Sequence, residues 1–390
     1  MIKFLIKGLL RDPSRSVFPI IIIALGAFLT CLLEGYITGA YNNMLDSNIR
    51  FSTGHVKVMT EGYSTLSHQS PNDLALLDVD ELVKDLKNDF PTLTWTKRIS
   101  FAGLLDIPDK NRETKAQGPV AGIAINVFDD DANSDLNRLK LNESLIQGRL
   151  PSSRAEIVIS EYLFQQFNLS LGDEATLLTT SADGATVASN FTVVGTVSFG
   201  IQALDRSMII ADVAQMQYVL NMQNSVGEVF GFLKHDIFDD QKTLVIEDTF
   251  KKANPITDEF SPVMLSLRNQ SMLAEIIDMG KSITTIVIVI FVVLVTIVIW
   301  NTRLIANLRR YGEIGVRLAI GESKKRLLAS MLLEAIALGI AGALIGTILG
   351  VIAVYFLERY GIDVTYATKG QTAMVISDVI RGKLSITTLY

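Results

Sequence analysis

Three stretches of the chain are uncharged and apolar at nearly every position, not at the steps of a surface helix or a half-buried strand. Residues 17–33 read VFPIIIIALGAFLTCLL, seventeen positions without charge between Arg15 and Glu34. Residues 282–300 supply nineteen more, and residues 335–357 twenty-three. A helix needs about 20 apolar residues to cross a hydrocarbon core of roughly 30 Å, so the second and third runs are long enough as they stand. The first reaches that length if its helix continues through Glu34 to Tyr36, where a carboxylate near a helix end can reach the interface. Runs of this length with no polar face argue against core helices of a soluble domain. Lys3, Lys7, Arg11 and Arg15 ahead of the first run also suit a signal peptide. The run exceeds the usual h-region and no small-x-small site follows, so it reads as an uncleaved anchor.

Between the first and second runs the pattern changes. Residues 55–60, 119–125, 155–160, 174–180 and 191–198 are short and rich in β-branched residues, which predicts strands, the last two joined by a turn at Asp183 and Gly184. Residues 161–169 and 211–222 place apolar side chains three and four apart, as packed surface helices do. An α+β domain with two subdomains is expected over residues 41–280. Met272, Leu273, Ile276 and Ile277 form one stripe ahead of the second run, which predicts a helix leading from that domain into the second span.

Composition and charge sharpen this picture. The 390 residues are 49% hydrophobic and 19% charged, with mean hydropathy +0.34, too apolar for a soluble enzyme of this length. Basic residues concentrate in cytoplasmic loops beside spans. Residues 1–16 hold four basic residues against Asp12, and residues 303–326 hold seven against Glu313 and Glu322, so both segments are placed inside. Residues 41–280 hold 19 basic and 33 acidic residues, a net of −14 by difference. Two spans between two inside segments place that acidic domain across the membrane. The single cysteine, Cys31, excludes a disulfide framework.

Recognisable catalytic chemistry is missing from the sequence. Gly280-Lys281-Ser282 lacks the upstream glycine of a phosphate loop, since position 275 is Glu. His55, His68 and His235 lack helical zinc spacing, and His55 reads as a surface or strand residue. No G-x-S-x-G elbow occurs. The acidic groups Asp129-Asp130-Asp131 and Asp239-Asp240 read as solvated loop residues, not a cation site. The chain is expected to be no enzyme, to hold no cofactor or metal, and to bind no nucleic acid.

Residues 309–326, RRYGEIGVRLAIGESKKR, join the second and third runs. Leu308, Ile314, Leu318 and Ala319 suit a short amphipathic helix with Gly312 and Gly321 marking its ends, able to lie at a membrane surface and face a soluble partner. In the third run Ala335, Gly339, Gly342, Gly346 and Gly350 follow one another at steps of 4, 3, 4 and 4, a helix face that permits close approach of another helix.

The stretch YGEIGVRLAIGESKKRLLASMLLEA (311–335) resembles the EIG-x-x-x-A-x-G-A-S motif of the MacB/FtsX-type permeases of ABC transporters, departing from it at Glu322. The lead-in FLIKGLLRDPSRS (4–16) and the segments EIVISEYLFQQFNLSLGDEATLL, FTVVGTVSFG and IIADVAQMQYVL are similar to the same family. GHVKVMTEGY (54–63), with the absence of a fused ATPase, is most like the LolC/LolE lipoprotein-releasing group. The resemblance implies an inner-membrane, multi-pass permease subunit that works with a cytoplasmic ABC ATPase and a second permease subunit, releasing lipoproteins from the membrane. MacB-like efflux or mechanotransmission, or FtsX-like regulation of a periplasmic hydrolase, is the alternative. It also implies that Glu313, Gly315, Arg317 and Gly321 couple to the ATPase, while the glycine spacing predicts by itself that Gly339, Gly342, Gly346 and Gly350 pack against another helix.

The expected organisation is an α-helical transmembrane bundle with a large α+β periplasmic domain. It divides into a lead-in at 1–16, spans at 17–40, 281–302 and 328–357, the periplasmic domain at 41–280, a coupling segment at 303–327, and an outer segment at 358–390. The family has four spans, and the sequence stops at Tyr390 where the fourth is expected to begin, so either it is a fragment or the protein lacks that helix.

Overall fold

The computed structural model describes residues 13–109, 111–128, 132–233, 238–270, 273–309, 311–363 and 379–383. These divide into two compact units. The described residues of one are 13–43, 278–363 and 379–383; those of the other lie within 44–277.

The second unit is organised by strands β1 (Val56–Thr60), β2 (Leu93–Pro108), β3 (Thr114–Ile125), β4 (Leu145–Gly148), β5 (Glu156–Ser160), β6 (Glu174–Thr180), β7 (Thr186–Val197), β8 (Met208–Asp212), β9 (Glu228–Leu233) and β10 (Pro262–Ser266). The 16-residue β2 belongs to two layers. Its first half, Leu93 to Arg98, pairs antiparallel with β9, and β9 pairs with β1 and β1 with β10, giving a four-stranded antiparallel sheet. Its second half pairs with β3 and β6, and the pairings continue β3 to β8, β8 to β5, β5 to β7 and β7 to β6. That series closes on itself as a six-stranded ring, which leaves no free edge among its members.

Alternation along each strand fills the ring. Phe101, Leu105 and Ile107 of β2, Val120 of β3, Ile157 and Ile159 of β5, Leu177 of β6, Phe191 and Val193 of β7 and Ile209 of β8 are all buried in one core. Gly122 on β3 is required there, because a Cβ would collide with the Phe101 ring. Outward residues of the same strands, Ile123, Ile125, Val158 and Ile210, form a second cluster with Leu139 and Leu141. The four-stranded sheet is packed by the helices Val79–Asp89 and Asp240–Ala253, with Trp95 donating its indole N–H to Leu86 O at 3.1 Å.

Local hydrogen bonds explain the element boundaries. Thr60, Ser160, Asp212 and Asp239 each cap the helix that follows by accepting a backbone N–H. Asp239 is held below the usual carboxylate range by the Lys242 backbone N–H first, while Asp212 is raised by burial despite its cap bond. Asp240 bonds Arg268 Nη1 at 2.8 Å, so this acidic pair has structural partners. The Asp129-Asp130-Asp131 run lies outside the described residues. His55 is fully buried just before β1, with Nδ1 accepting from Leu233 N at 3.3 Å, which corrects its reading as a surface residue. His235 and the side chain of His68 lie outside the described residues.

The first unit is helical. The helices Pro13–Asn48, Leu273–Arg309 and Lys324–Tyr360 run 36, 37 and 37 residues. By length and apolarity two segments, Val17–Thr53 and Lys324–Tyr360, could cross a membrane, and Thr285–Asn301 is a shorter apolar helix stretch. Among the described residues two segments are thus long and apolar enough to cross a membrane, where three were expected. Ile286, Val289, Ile290, Val293, Leu294 and Ile297 are all about half exposed around the Leu273–Arg309 helix, an arrangement that water penalises and lipid does not. Ile362–Asp363 and Val379–Ile380 pair as a two-stranded antiparallel ribbon. Residues 364–378 and 384–390, where the expected fourth span would begin, lie outside the described residues.

Candidate functional site

The segment between the second and third long helices folds as a nine-residue helix, Tyr311–Ala319. Its C-terminus is closed by a Schellman arrangement. Glu322 N donates to Arg317 O at 3.1 Å and Gly321 N donates to Leu318 O at 3.1 Å, with Gly321 at φ +96°. The left-handed conformation at that position is one a side chain rarely adopts, so the sequence places glycine where the chain must turn. Ser323 then precedes the Lys324–Tyr360 helix, whose first turn closes through Arg326 N and Leu327 N to Ser323 O at 3.0 and 3.1 Å. Gly321 thus ends the short helix as expected. Gly312 sits within its first turn and marks no boundary.

The face of this helix is open. Among the described residues, Gly315 and Gly321 have no heavy atom beyond their chain neighbours and the helix's own backbone within 4 Å of the position a Cβ would take. Gly315, Val316 and Arg317 are exposed, and Ile320 just beyond the helix is 81% exposed. The side chain of Glu313 lies outside the described residues. Positions 313 and 317 are four residues apart on the helix and so share one side of it, while position 321 lies beyond its end.

The glycine face of the third long helix has a definite neighbour. Gly342, Gly346 and Gly350 are buried against the first helix. A Cβ on Gly342 would lie 2.7 Å from Ile23 Cβ. One on Gly346 would lie 2.7 Å from Ala27 Cβ and collide with Ala24 O. One on Gly350 would lie 2.7 Å from Cys31 Cβ. Gly339, assigned to the same face, makes no such approach to any of the described residues. The first helix contributes glycines of its own, which periodicity did not single out. Gly26 abuts Val295 of the second long helix and Gly35 abuts Val354 of the third. Glu34, read as interfacial, is buried at 6% exposure.

Candidate chemistry elsewhere is already occupied. A cavity of about 130 Å³ beside residues 46–50 is lined by Arg50, Arg138, Lys140 and His55. Arg50 is ion-paired with Asp46 at 2.5 Å, and Arg138 stacks at 4.2 Å on Phe232. Among the described residues no group of three or more His, Cys, Asp or Glu could hold a metal ion. At the domain surface Arg149 grips Glu156 through two bonds of 2.7 Å, and this contact is the first cause holding Glu156 down at about 2.

No curated protein matches the chain. The solved periplasmic region of MacB from Actinobacillus actinomycetemcomitans aligns over 59% of this chain and 96% of its own length, at 16% identity and a TM-score of 0.38. Residues 285–386, which contain the exposed short helix and the glycine face, match the family model for the C-terminal domain of FtsX-like permeases.

Proposed function

We propose that the chain is the permease subunit of a transporter driven by a separate cytoplasmic ABC ATPase, with the Tyr311–Ala319 helix as docking element. The observation that carries this reading is a short, capped, solvent-open helix joining two long apolar helices inside the stretch similar to FtsX-like permeases. In this mechanism, ATP-driven closure of the partner pushes on residues 309–326. The long helices act as levers, and the unit built from residues 44–277 moves on the far side of the inner membrane. Glu313, Gly315, Arg317 and Gly321 form the docking surface, the open glycines letting a partner's backbone or side chains approach closely. A second permease subunit completes the pair.

Within that reading the cargo is a lipid-anchored protein taken from the outer leaflet, so no polar path across the bilayer is needed. Efflux by mechanotransmission and regulation of a periplasmic hydrolase are the alternatives. Copurification from native membranes supplies the test. A bound ATPase, with hydrolysis uncoupled from substrate release by Glu313→Ala and Arg317→Ala, is expected. Absence of any ATPase, or intact coupling in both variants, overturns the proposal. Acyl chains in the purified complex support release, and a bound hydrolase supports regulation.

A further inference from the structure

The first helix does not end in solvent. Pro13–Asn48 runs without interruption into a π-helical turn, Ile49–Thr53, closed by Gly54 N donating to Ile49 O at 3.0 Å. A helix end leaves its last carbonyls without intrahelical donors, and π turns are rare and frequently found at functional sites. Here three of those carbonyls are taken by side chains from three different parts of the domain. Arg98 Nη1 on β2 donates to Arg50 O at 2.5 Å, Lys57 Nζ on β1 donates to Ser52 O at 3.0 Å, and Gln270 Nε2, after β10, donates to Thr53 O at 3.1 Å.

Each donor is itself fixed. Arg98 is 1% exposed and its Nη2 bonds Asp135 Oδ1 at 2.6 Å. Lys57 bonds Glu228 Oε1 at 2.6 Å, and that carboxylate also accepts from Ser100 Oγ at 3.2 Å. Gln270 is 4% exposed and also donates to Leu265 O at 3.0 Å. The Phe230 ring lies 5.4 Å from the Lys57 ammonium and 4.5 Å from the Arg98 guanidinium. Two buried cations are costly to desolvate, and each is retained with a carboxylate partner. Their spare donors point at the negative end of the helix dipole, where positive charge is favourable. Apolar residues would fill the same sheet face at lower desolvation cost, but they could not hold the turn.

The geometry points to Lys57, Arg98 and Gln270 as positioning residues. Together they form a three-point cap that fixes the end of the first helix to the four-stranded sheet, so that displacement of the helix is delivered to the sheet without slack. The inference rests on the mechanical reading above, and every contact in it lies within the unit of residues 44–277.

The test uses the full chain in lipid nanodiscs with its ATPase. Gln270→Met removes one donor without stranding a charge. Lys57→Met combined with Glu228→Gln removes a second donor together with its partner's charge. Amide hydrogen exchange over residues 49–54 is expected to rise about tenfold in each variant, while exchange over residues 99–107 keeps the wild-type rate. Substrate released per ATP should fall at unchanged hydrolysis. Lys57→Arg, which keeps a cation and its donors, should restore both. Unchanged exchange at 49–54, exchange rising equally in the six-stranded ring, or normal release from a loosened turn would each overturn the inference. Failure of the transporter reading would show instead as absence of an ATPase partner, with the exchange contrast intact.

Discussion

The approach of the first and third long helices gives a quantitative prediction. A Cβ at residue 346 would stand 2.7 Å from Ala27 Cβ and collide with the backbone oxygen of Ala24. Ordinary carbon contacts need about 3.5–4.0 Å, so Gly346→Ala forces the helices apart by about 1 Å at this level. The blocking oxygen is backbone and cannot rotate away. Overpacking of this kind costs about 1–3 kcal/mol. At Gly339 the same substitution meets open space, and replacing glycine by alanine inside a helix gains about 0.5–1 kcal/mol. That gain is common to both positions and cancels, so the two variants should differ by the overpacking cost alone, about 1–3 kcal/mol, although they change the same atom on the same helix. Reversible unfolding of the purified chain in mixed micelles, followed by tryptophan fluorescence, measures that gap. Equal stability of the two variants would refute the packing argument, because it would mean residue 346 does not face the first helix.

Two further outcomes follow from local geometry. Gly321→Val puts a β-branched side chain at φ +96°, so it should fray the C-terminus of the Tyr311–Ala319 helix and weaken ATPase binding several-fold in a pull-down, with domain stability unchanged. Glu156 titrates at about 2, below its ordinary value, so its contribution to stability is present above about pH 4.3 and is lost as pH falls through about 2. Arg149→Gln should return its titration toward the ordinary range and move acid unfolding of the domain to higher pH, readable by NMR titration and circular dichroism.

Elements whose pattern is set by neighbours in sequence were legible before folding was considered. The apolar runs became the cores of the long helices, and strand 174–180 coincides with β6. Elements set by partners far along the chain were not. β2 was missed because Lys97 and Arg98 interrupt its alternation, yet Arg98 is buried by Asp135, 37 residues away. β9 was missed because Gly231 breaks a strand pattern, and the glycine is there to admit the Trp95 ring and the Val56 side chain. The buried pairing of Lys57 with Glu228 spans 171 positions, so nothing local in the sequence signals it. The π turn has no sequence signature at all. At the candidate site the cap at Gly321 was readable from glycine punctuation. Of the four packing glycines, spacing alone could not tell that Gly339 lies beyond the reach of the first helix.

The account depends on the coupling helix and the strand-rich unit lying on opposite sides of a membrane. In a Cys31→Ser background, single cysteines replace Gly315 and Tyr162, both exposed, and intact cells are treated with a membrane-impermeant maleimide. The account predicts that the cysteine at 162 labels at once and that at 315 labels only after the inner membrane is permeabilised. Labelling of both from outside, or of 315 alone, would contradict it.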